Sequence, residues 1–283
     1  MEVFFPRTFR ELRELFEIYS DGRILAGGTD LLVKLRKHGD KPSALFSIEH
    51  LSELQQVEEG KNNIFIGAGV THQQLLELPI IKQRFKGMHD ALSVLGSPLI
   101  RHSGTLGGNL CTASPAGDTL PSLYVLDAKI EIYGQVEKRC VPIAEFIKDS
   151  GKTILKQGEF VTGIYIPFLE SNTFSAYYKV GKRKALAIAI ASLAVMLQLN
   201  SNGTVEKIKL AWGSVGPAVM ILPEVENFLK GKVLSDTTLS QAGKMAALGV
   251  SPIDDIRASS EYRRCLAANL LFRLCSESDF RLN

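Results

Sequence analysis

The sequence predicts an α+β protein of two domains, and three observations lead there. At roughly 150 residues per domain, the 283 residues allow two cores. Up to about residue 168, short extended runs alternate with helical patterns. Beyond residue 173, long strand-like runs come first and helical patterns follow, the order of an α+β unit rather than an alternating one.

Thr8 and Glu11 have capping-box spacing, and Leu12, Leu15, Phe16 and Tyr19 continue at helical spacing until Asp21-Gly22. Residues 23–26 read as extended. Gly27-Gly28 ends that run, and Thr29 or Asp30 then caps a helix carrying Leu31, Leu32 and Leu35. Residues 44–48 and 64–67 read as strands, and 71–76 as a helix that Pro79 interrupts. Between 97 and 118, Gly104, Gly107, Gly108, Pro115 and Gly117 predict a long functional loop. A helix at 120–126 and strands at 129–133 and 160–167 close the first domain, 1–168. In the second, 173–283, Ser201-Asn202-Gly203 joins 187–199 to 205–212 as a hairpin, and helices follow around 222–229, 239–247 and 260–275.

Composition excludes several classes. The 33 basic against 30 acidic residues leave +3, too small a surplus to argue for nucleic acid. Cys111, Cys140, Cys265 and Cys275 form no C-x-x-C pair, and His38, His50, His72, His89 and His102 show no ligand spacing, so no metal site is expected. The histidines read as surface or capping residues, and Cys111 as a small buried one. The apolar stretch 185–199 falls short of the roughly 20 residues that span a bilayer, and no signal-peptide pattern opens the chain. The expectation is a reduced, cytoplasmic protein without a membrane span.

Two glycine loops carry the chemistry. Ala26-Gly27-Gly28-Thr29-Asp30 lies where a strand hands over to a helix, so main-chain N–H groups can converge on a phosphate; a tight turn using two glycines is the alternative. Thr105-Leu106-Gly107-Gly108-Asn109 offers a second cradle with side-chain hydrogen bonds from Thr105 and Asn109, and two cradles suit a pyrophosphate. Asp118 can accept from sugar or ribityl hydroxyls, cap the following helix, or do both. Gly67-Ala68-Gly69 lacks the third glycine of a dinucleotide fold, and no P-loop occurs. Lys182-Arg183-Lys184 reads as a solvated basic loop, with anion binding the sharper alternative. Trp212 is expected to pack in the second-domain sheet.

The loop at 26–32, the run Arg101-His102-Ser103-Gly104-Thr105-Leu106-Gly107-Gly108-Asn109-Leu110, and Ser114-Pro115-Ala116-Gly117-Asp118 together resemble the FAD-binding subunit of molybdenum hydroxylases, the xanthine and carbon monoxide dehydrogenase family. Residues 252–259 and Glu261-Tyr262-Arg263 resemble that family's C-terminal domain. The resemblance implies a two-part, PCMH-like FAD-binding domain split near residue 55, then a C-terminal domain of antiparallel sheet with helices. It places the FAD diphosphate on Ala26, Gly27, Gly28, Thr29 and Asp30 and on Thr105, Gly107, Gly108 and Asn109. It also puts Asp118 on the sugar-like part, Lys179 near the isoalloxazine and Leu186 in the loop beside the ring.

The same resemblance implies non-covalent FAD in this chain, with [2Fe–2S] clusters and the molybdenum cofactor in partner subunits. Electrons would pass through FAD to NAD or another acceptor. No catalytic side chain is expected, and the organic substrate stays open. Two alternatives remain: a free-standing FAD-dependent oxidoreductase, and a non-catalytic nucleotide-binding assembly module.

Overall fold

The computed structural model describes residues 1–38, 41–134, 137–183 and 186–276. They form two compact units that interleave along the chain. The first contains Met1–Glu77, Ser97–Ala113 and Asp127–Pro167, and the second contains Leu78–Gly96, Ser114–Leu126 and the chain from Phe168 on. This partition differs from a single break near 168 because two earlier helical stretches pack with the later sheet.

The first unit opens with β1 (Glu2–Phe4), α1 (Phe9–Ile18), β2 (Arg23–Leu25), α2 (Leu31–His38) and β3 (Ala44–Ser47). The three strands pair in parallel in the order β1-β3-β2, so the helices serve as crossovers. At the start of α1, Thr8 accepts from the Glu11 N–H at 3.1 Å, but the Glu11 carboxylate takes the Arg7 N–H at 2.8 Å. The expected box therefore closes one residue early. Leu12 is fully buried, and Phe16 packs edge-on against Phe46 of β3 at 4.9 Å.

A 3-10 turn, Ser52–Gln55, leads into β4 (Val57–Glu59), β5 (Asn63–Gly67) and α3 (His72–Glu77). The chain then contributes α4 (Pro79–Arg84) and α5 (Lys86–Ser93) to the second unit and returns with α6 (Pro98–Ser103) and α7 (Leu106–Thr112). The long loop expected at 97–118 is thus largely helical. Ser97 and Thr105 cap the two helices, accepting from the N–H groups of Ile100 and Gly108 at 3.2 and 3.0 Å. Glycine density misled the reading because Gly107 serves packing, not turning. A Cβ there would lie 2.7 Å from the Ala68 carbonyl oxygen.

After α8 (Thr119–Val125), which belongs to the second unit, come β6 (Lys129–Tyr133), β7 (Lys138–Pro142), α9 (Ile143–Phe146), β8 (Ile147–Asp149), β9 (Lys152–Thr153) and β10 (Phe160–Pro167). They complete an antiparallel sheet of order β4-β5-β10-β6-β7 and a small β8-β9 ribbon.

The second unit is built on β11 (Phe174–Val180), β12 (Ala191–Leu199), β13 (Val205–Gly213) and β14 (Met220–Ile221), antiparallel in chain order. The predicted hairpin joins β12 to β13, with Gly203 at φ 79 and the Asn200 N–H on the Thr204 carbonyl at 2.8 Å. Helices α10 (Pro223–Leu229), α11 (Asp236–Gly249), α12 (Ser260–Asn269) and α13 (Arg273–Ser276) follow. Leu193, Val195 and Leu197 of β12 join Leu210 and Trp212 of β13 in one core with Val225, Leu239 and Ala267 of the helices. The other face is covered by α5 and α8. A sheet covered on both faces explains why β12 is apolar without alternation from Leu193 to Leu197. Trp212 donates to the Ala267 carbonyl at 3.1 Å.

Among the described residues, no helix is long and apolar enough to cross a membrane. Most of the stretch 185–199 is β12, which starts at Ala191 rather than at 187; Ala185 lies outside the described residues.

Candidate functional site

In the first unit, β2 ends at Leu25 and α2 begins at Leu31, so Ala26 to Asp30 form the turn between them. Gly28 sits at φ 66, in the left-handed region that glycine enters without strain. The N–H groups of Gly27, Gly28 and Thr29 have no acceptor among the described residues. Three successive free donors beside a helix start make a concavity suited to an anion.

The second glycine loop lies directly against this turn. A Cβ on Gly27 would overlap the Ser103 carbonyl, and Thr29 Oγ1 is 3.5 Å from where a Gly104 Cβ would be. Asp30 ties the two together, pairing with Lys34 Nζ at 2.6 Å and accepting from Thr112 Oγ1 at 3.3 Å.

Donors in the second loop are used differently. The N–H of Leu106 goes to the Val70 carbonyl, that of Gly107 to Ala68, that of Gly108 to Thr105 Oγ1 and that of Asn109 to the Thr105 carbonyl, all at 2.9–3.0 Å. Its main chain is therefore committed to holding α7 on the exit of β5, and its offer to a ligand is the half-buried surface of Gly108 and Asn109. The segment from Gly67 to His72, set aside because it lacks a dinucleotide signature, is the scaffold of this loop. Its glycines were the available signal: a Cβ on Gly67 would overlap the Leu54 carbonyl.

His72 departs from the expected surface position. It is 3% exposed, its main-chain N–H donates to the Gly104 carbonyl at 2.9 Å, and its Nδ1 has no partner among the described residues. Burial, aided by the nearby Arg101 guanidinium, lowers the imidazole to about 4, so it is neutral under the loop. His102 is exposed, and the His38 side chain lies outside the described set. Cys111, one position past the inward face of α7 formed by Leu106, Gly107 and Leu110, has an exposed residue surface, while desolvation pushes its thiol up to about 12. The other three cysteines are also free and exposed, and no group of three potential metal ligands occurs among the described residues.

The second unit holds the remaining expected residues. Asp118 occupies the cap position of α8, but its side chain makes no capping hydrogen bond. Oδ1 instead accepts from the Tyr177 hydroxyl at 2.9 Å and Oδ2 from Lys179 Nζ at 2.7 Å. Lys179 also donates to the Val94 carbonyl at 3.0 Å. Asp118 is 8% exposed as a residue and the Lys179 side chain 8%, so this is a buried ion pair. Burial raises the Asp118 carboxyl above the ordinary carboxylate value, a shift that Lys179 and the two hydrogen bonds oppose. Tyr177 is pushed well up, by burial first and by Asp118 second.

Ser175, Tyr177 and Lys179 share one face of β11 by strand alternation. Ser175 Oγ accepts from the Gly87 N–H at 3.1 Å, which anchors α5 to the same face. Tyr177 was missed at the sequence level although its two-residue spacing from Lys179 was visible. Leu186 is half exposed and left-handed at φ 56, an uncommon conformation for a branched residue. With Val94 and the strand end 179–183 it lines a pocket of about 410 Å3. Lys184 lies outside the described residues.

Residues 1–169 match the family described as the FAD binding domain in molybdopterin dehydrogenase, and residues 176–278 match the C-terminal domain of the carbon monoxide dehydrogenase flavoprotein. The chain is 31% identical to the nicotinate dehydrogenase FAD-subunit of Eubacterium barkeri, over 84% of this chain and 82% of that one. It is 32% identical to the glyceraldehyde dehydrogenase medium chain of Sulfolobus acidocaldarius, over 91% and 90%. The fold superposes with a TM-score of 0.92 on a chain of carbon monoxide dehydrogenase from Hydrogenophaga pseudoflava, at 28% identity and covering 96% of this chain and 95% of that one. The free donors at Gly27, Gly28 and Thr29 fit the diphosphate that FAD carries. Fold, loops and both matched segments thus agree, and the chain belongs to the FAD-binding medium subunits of the xanthine dehydrogenase family of molybdenum hydroxylases.

Proposed function

We propose that this chain is the electron-transfer subunit of a multi-subunit molybdenum hydroxylase. In this reading it holds FAD non-covalently, with [2Fe–2S] clusters and the molybdenum cofactor in partner subunits and NAD or another soluble molecule as acceptor, in the cytoplasm. The observation that carries it is the run of three N–H groups at Gly27, Gly28 and Thr29 that have no acceptor among the described residues, set against the Ser103 carbonyl. The relatives' names support the subunit role, since they specify a FAD-subunit and a medium chain. Those names carry different substrates, nicotinate and glyceraldehyde, which suits a subunit that does not select the organic substrate.

Bound FAD supplies the chemistry, exchanging single electrons or a hydride. Gly27, Gly28 and Thr29 would take the diphosphate through main-chain N–H groups, and Ala26, Asp30, Thr105, Gly107, Gly108 and Asn109 would form or fix that cradle. Asp118 would accept from a cofactor hydroxyl only by sharing oxygens already engaged by Tyr177 and Lys179. Lys179, held by Asp118 and the Val94 carbonyl, would set positive charge where the flavin ring gains negative charge. Leu186 would pack beside the ring.

The test is anaerobic absorbance of the flavin band. Substrate alone should leave the FAD-loaded chain oxidised, and adding the cluster and molybdenum subunits should allow substrate to bleach it. Bleaching of the single chain by substrate would make it a free-standing oxidoreductase.

A further inference from the structure

The chain from Pro252 to Arg263 contains none of the residues assigned to FAD, yet it holds a buried cation. Arg263, near the start of α12, is 2% exposed. Its Nη1 donates to the main-chain carbonyls of Ile190 and Ser214 at 2.7 and 2.8 Å, and its Nη2 to Asp255 Oδ1 at 2.8 Å. One guanidinium thus fastens the entry to β12, the end of β13 and the segment before α12. Asp255 is itself fixed, accepting from the N–H and the Nε of Arg257, both at 2.8 Å.

Both carbonyls lie at the end of the sheet that carries Lys179. Lys179 pairs with Ser192 across β11 and β12, and Ser192 pairs with Gly213, the residue before Ser214, across β12 and β13. The Ile190 N–H closes the same end on the Val180 carbonyl at 2.8 Å. Here the sheet also meets the turn that leads to Asp118. A Cβ on Gly213 would lie 3.0 Å from Pro121 Cγ, and the Ser214 N–H donates to the Pro115 carbonyl at 2.8 Å. Ser214 is left-handed at φ 64, a conformation that a residue with a Cβ keeps only where its surroundings hold it. Its hydroxyl has no partner among the described residues, so the holding is done by its main chain, between Pro115 and Arg263. Freed from Arg263, Ser214 can relax and carry the turn with it.

We propose that Arg263 is a positioning residue for the Asp118 and Lys179 pair, acting through the strained main chain of Ser214 and thereby setting where the Lys179 charge lies. The proposal rests on the reading of Lys179 as the cation beside the flavin ring.

The FAD-loaded chain is equilibrated with redox dyes, and the midpoint potential is read per bound flavin. Lys179→Met should lower it, because negative charge gained on reduction loses a nearby cation. Arg263→Lys keeps the charge, but one ammonium lacks the fork that reaches two carbonyls and a carboxylate. It should lower the potential by about 30 mV, the equivalent of a tenfold change for a two-electron couple, and should add little in the Lys179→Met background. Asp255→Asn leaves the arginine in place, so it gives a second, milder variant; its potential should fall as well, whereas the direct effect of removing a negative charge would be a rise. A lower urea midpoint with an unchanged potential would make Arg263 a purely structural residue and overturn the proposal. An undiminished shift in the Lys179→Met background, or a rise in Asp255→Asn, would overturn it too. Should Lys179→Met itself leave the potential unchanged, the reading of Lys179 beside the ring fails. Urea midpoints then decide the positioning role: coupling of Arg263→Lys or Asp255→Asn with Asp118→Asn supports it, and simple additivity overturns it.

Discussion

The glycine turn at Ala26 to Asp30 in the first unit and the buried pair at Asp118 and Lys179 in the second are built on different physics. The turn works through main-chain atoms, and its constraint is space: Gly27 admits no Cβ beside Ser103, and Gly107 none beside Ala68. The pair works through side-chain charge, and its constraint is electrostatic: a carboxylate and an ammonium, both nearly inaccessible, satisfy each other with help from Tyr177 and Val94. The comparison teaches that a methyl group should break the first region and leave the second indifferent, whereas a charge change of equal volume should do the reverse.

The largest effect expected is from Gly27→Ala. Opening the turn away from Ser103 should weaken FAD binding by about a hundredfold or more, roughly 3 kcal/mol, measured by fluorescence titration of the flavin-free chain. Affinity within a few-fold of wild type would show that the close approach is dispensable.

Lys179→Met preserves the stem but strands the Asp118 carboxylate. Breaking a buried pair on one side costs about 3–5 kcal/mol, which should appear as a lower denaturation midpoint. The double variant Asp118→Asn with Lys179→Met should recover part of the loss. Simple additivity would mean that the two groups are not coupled.

The two regions also titrate in opposite directions. His72 is lowered from 6.5 to about 4, so between those values the unfolded chain binds more protons than the folded one. Its contribution, about 3 kcal/mol, is complete above pH 6.5 and is lost as pH falls toward 4. Asp118 is raised, so the folded state holds its proton longer and stability from this group declines as pH rises through its shifted range. Urea midpoints between pH 4 and 7 should rise in wild type and flatten in His72→Gln. An unchanged slope in that variant would remove His72 from the account.

Thr105→Ala should have the smallest effect, about 1 kcal/mol for a lost helix cap, with Thr105→Ser close to wild type. A loss well above that would show that the hydroxyl has a second partner of consequence.

What the sequence disclosed follows the same division. Local signals were readable: the turn at Ser201-Asn202-Gly203 and the cap at Thr8 depend on residues within a few positions of each other. The short strands β1, β4, β7, β8 and β9 were not, because two to five residues give too little alternation to stand out. Glycine density at 97–118 pointed to a loop, since propensity weighs against helices there, but docking of α7 on Ala68 and Val70 overrides it. Asp118 was legible as a cap and not as an ion pair, because Tyr177 and Lys179 lie 59 and 61 positions away. His72 sits behind a loop it meets only in three dimensions, so nothing near it in sequence announces burial.

The claim that the two glycine loops together hold the FAD diphosphate is tested most directly by FAD titration of the flavin-free chain beside its Gly108→Asp variant, with circular dichroism to establish that both are folded. A Cβ at Gly108 lies 2.9 Å from Thr105 Oγ1, and the added carboxylate would oppose a diphosphate. The account predicts about one FAD per wild-type chain and little or none in folded Gly108→Asp. Full occupancy in the folded variant would contradict it.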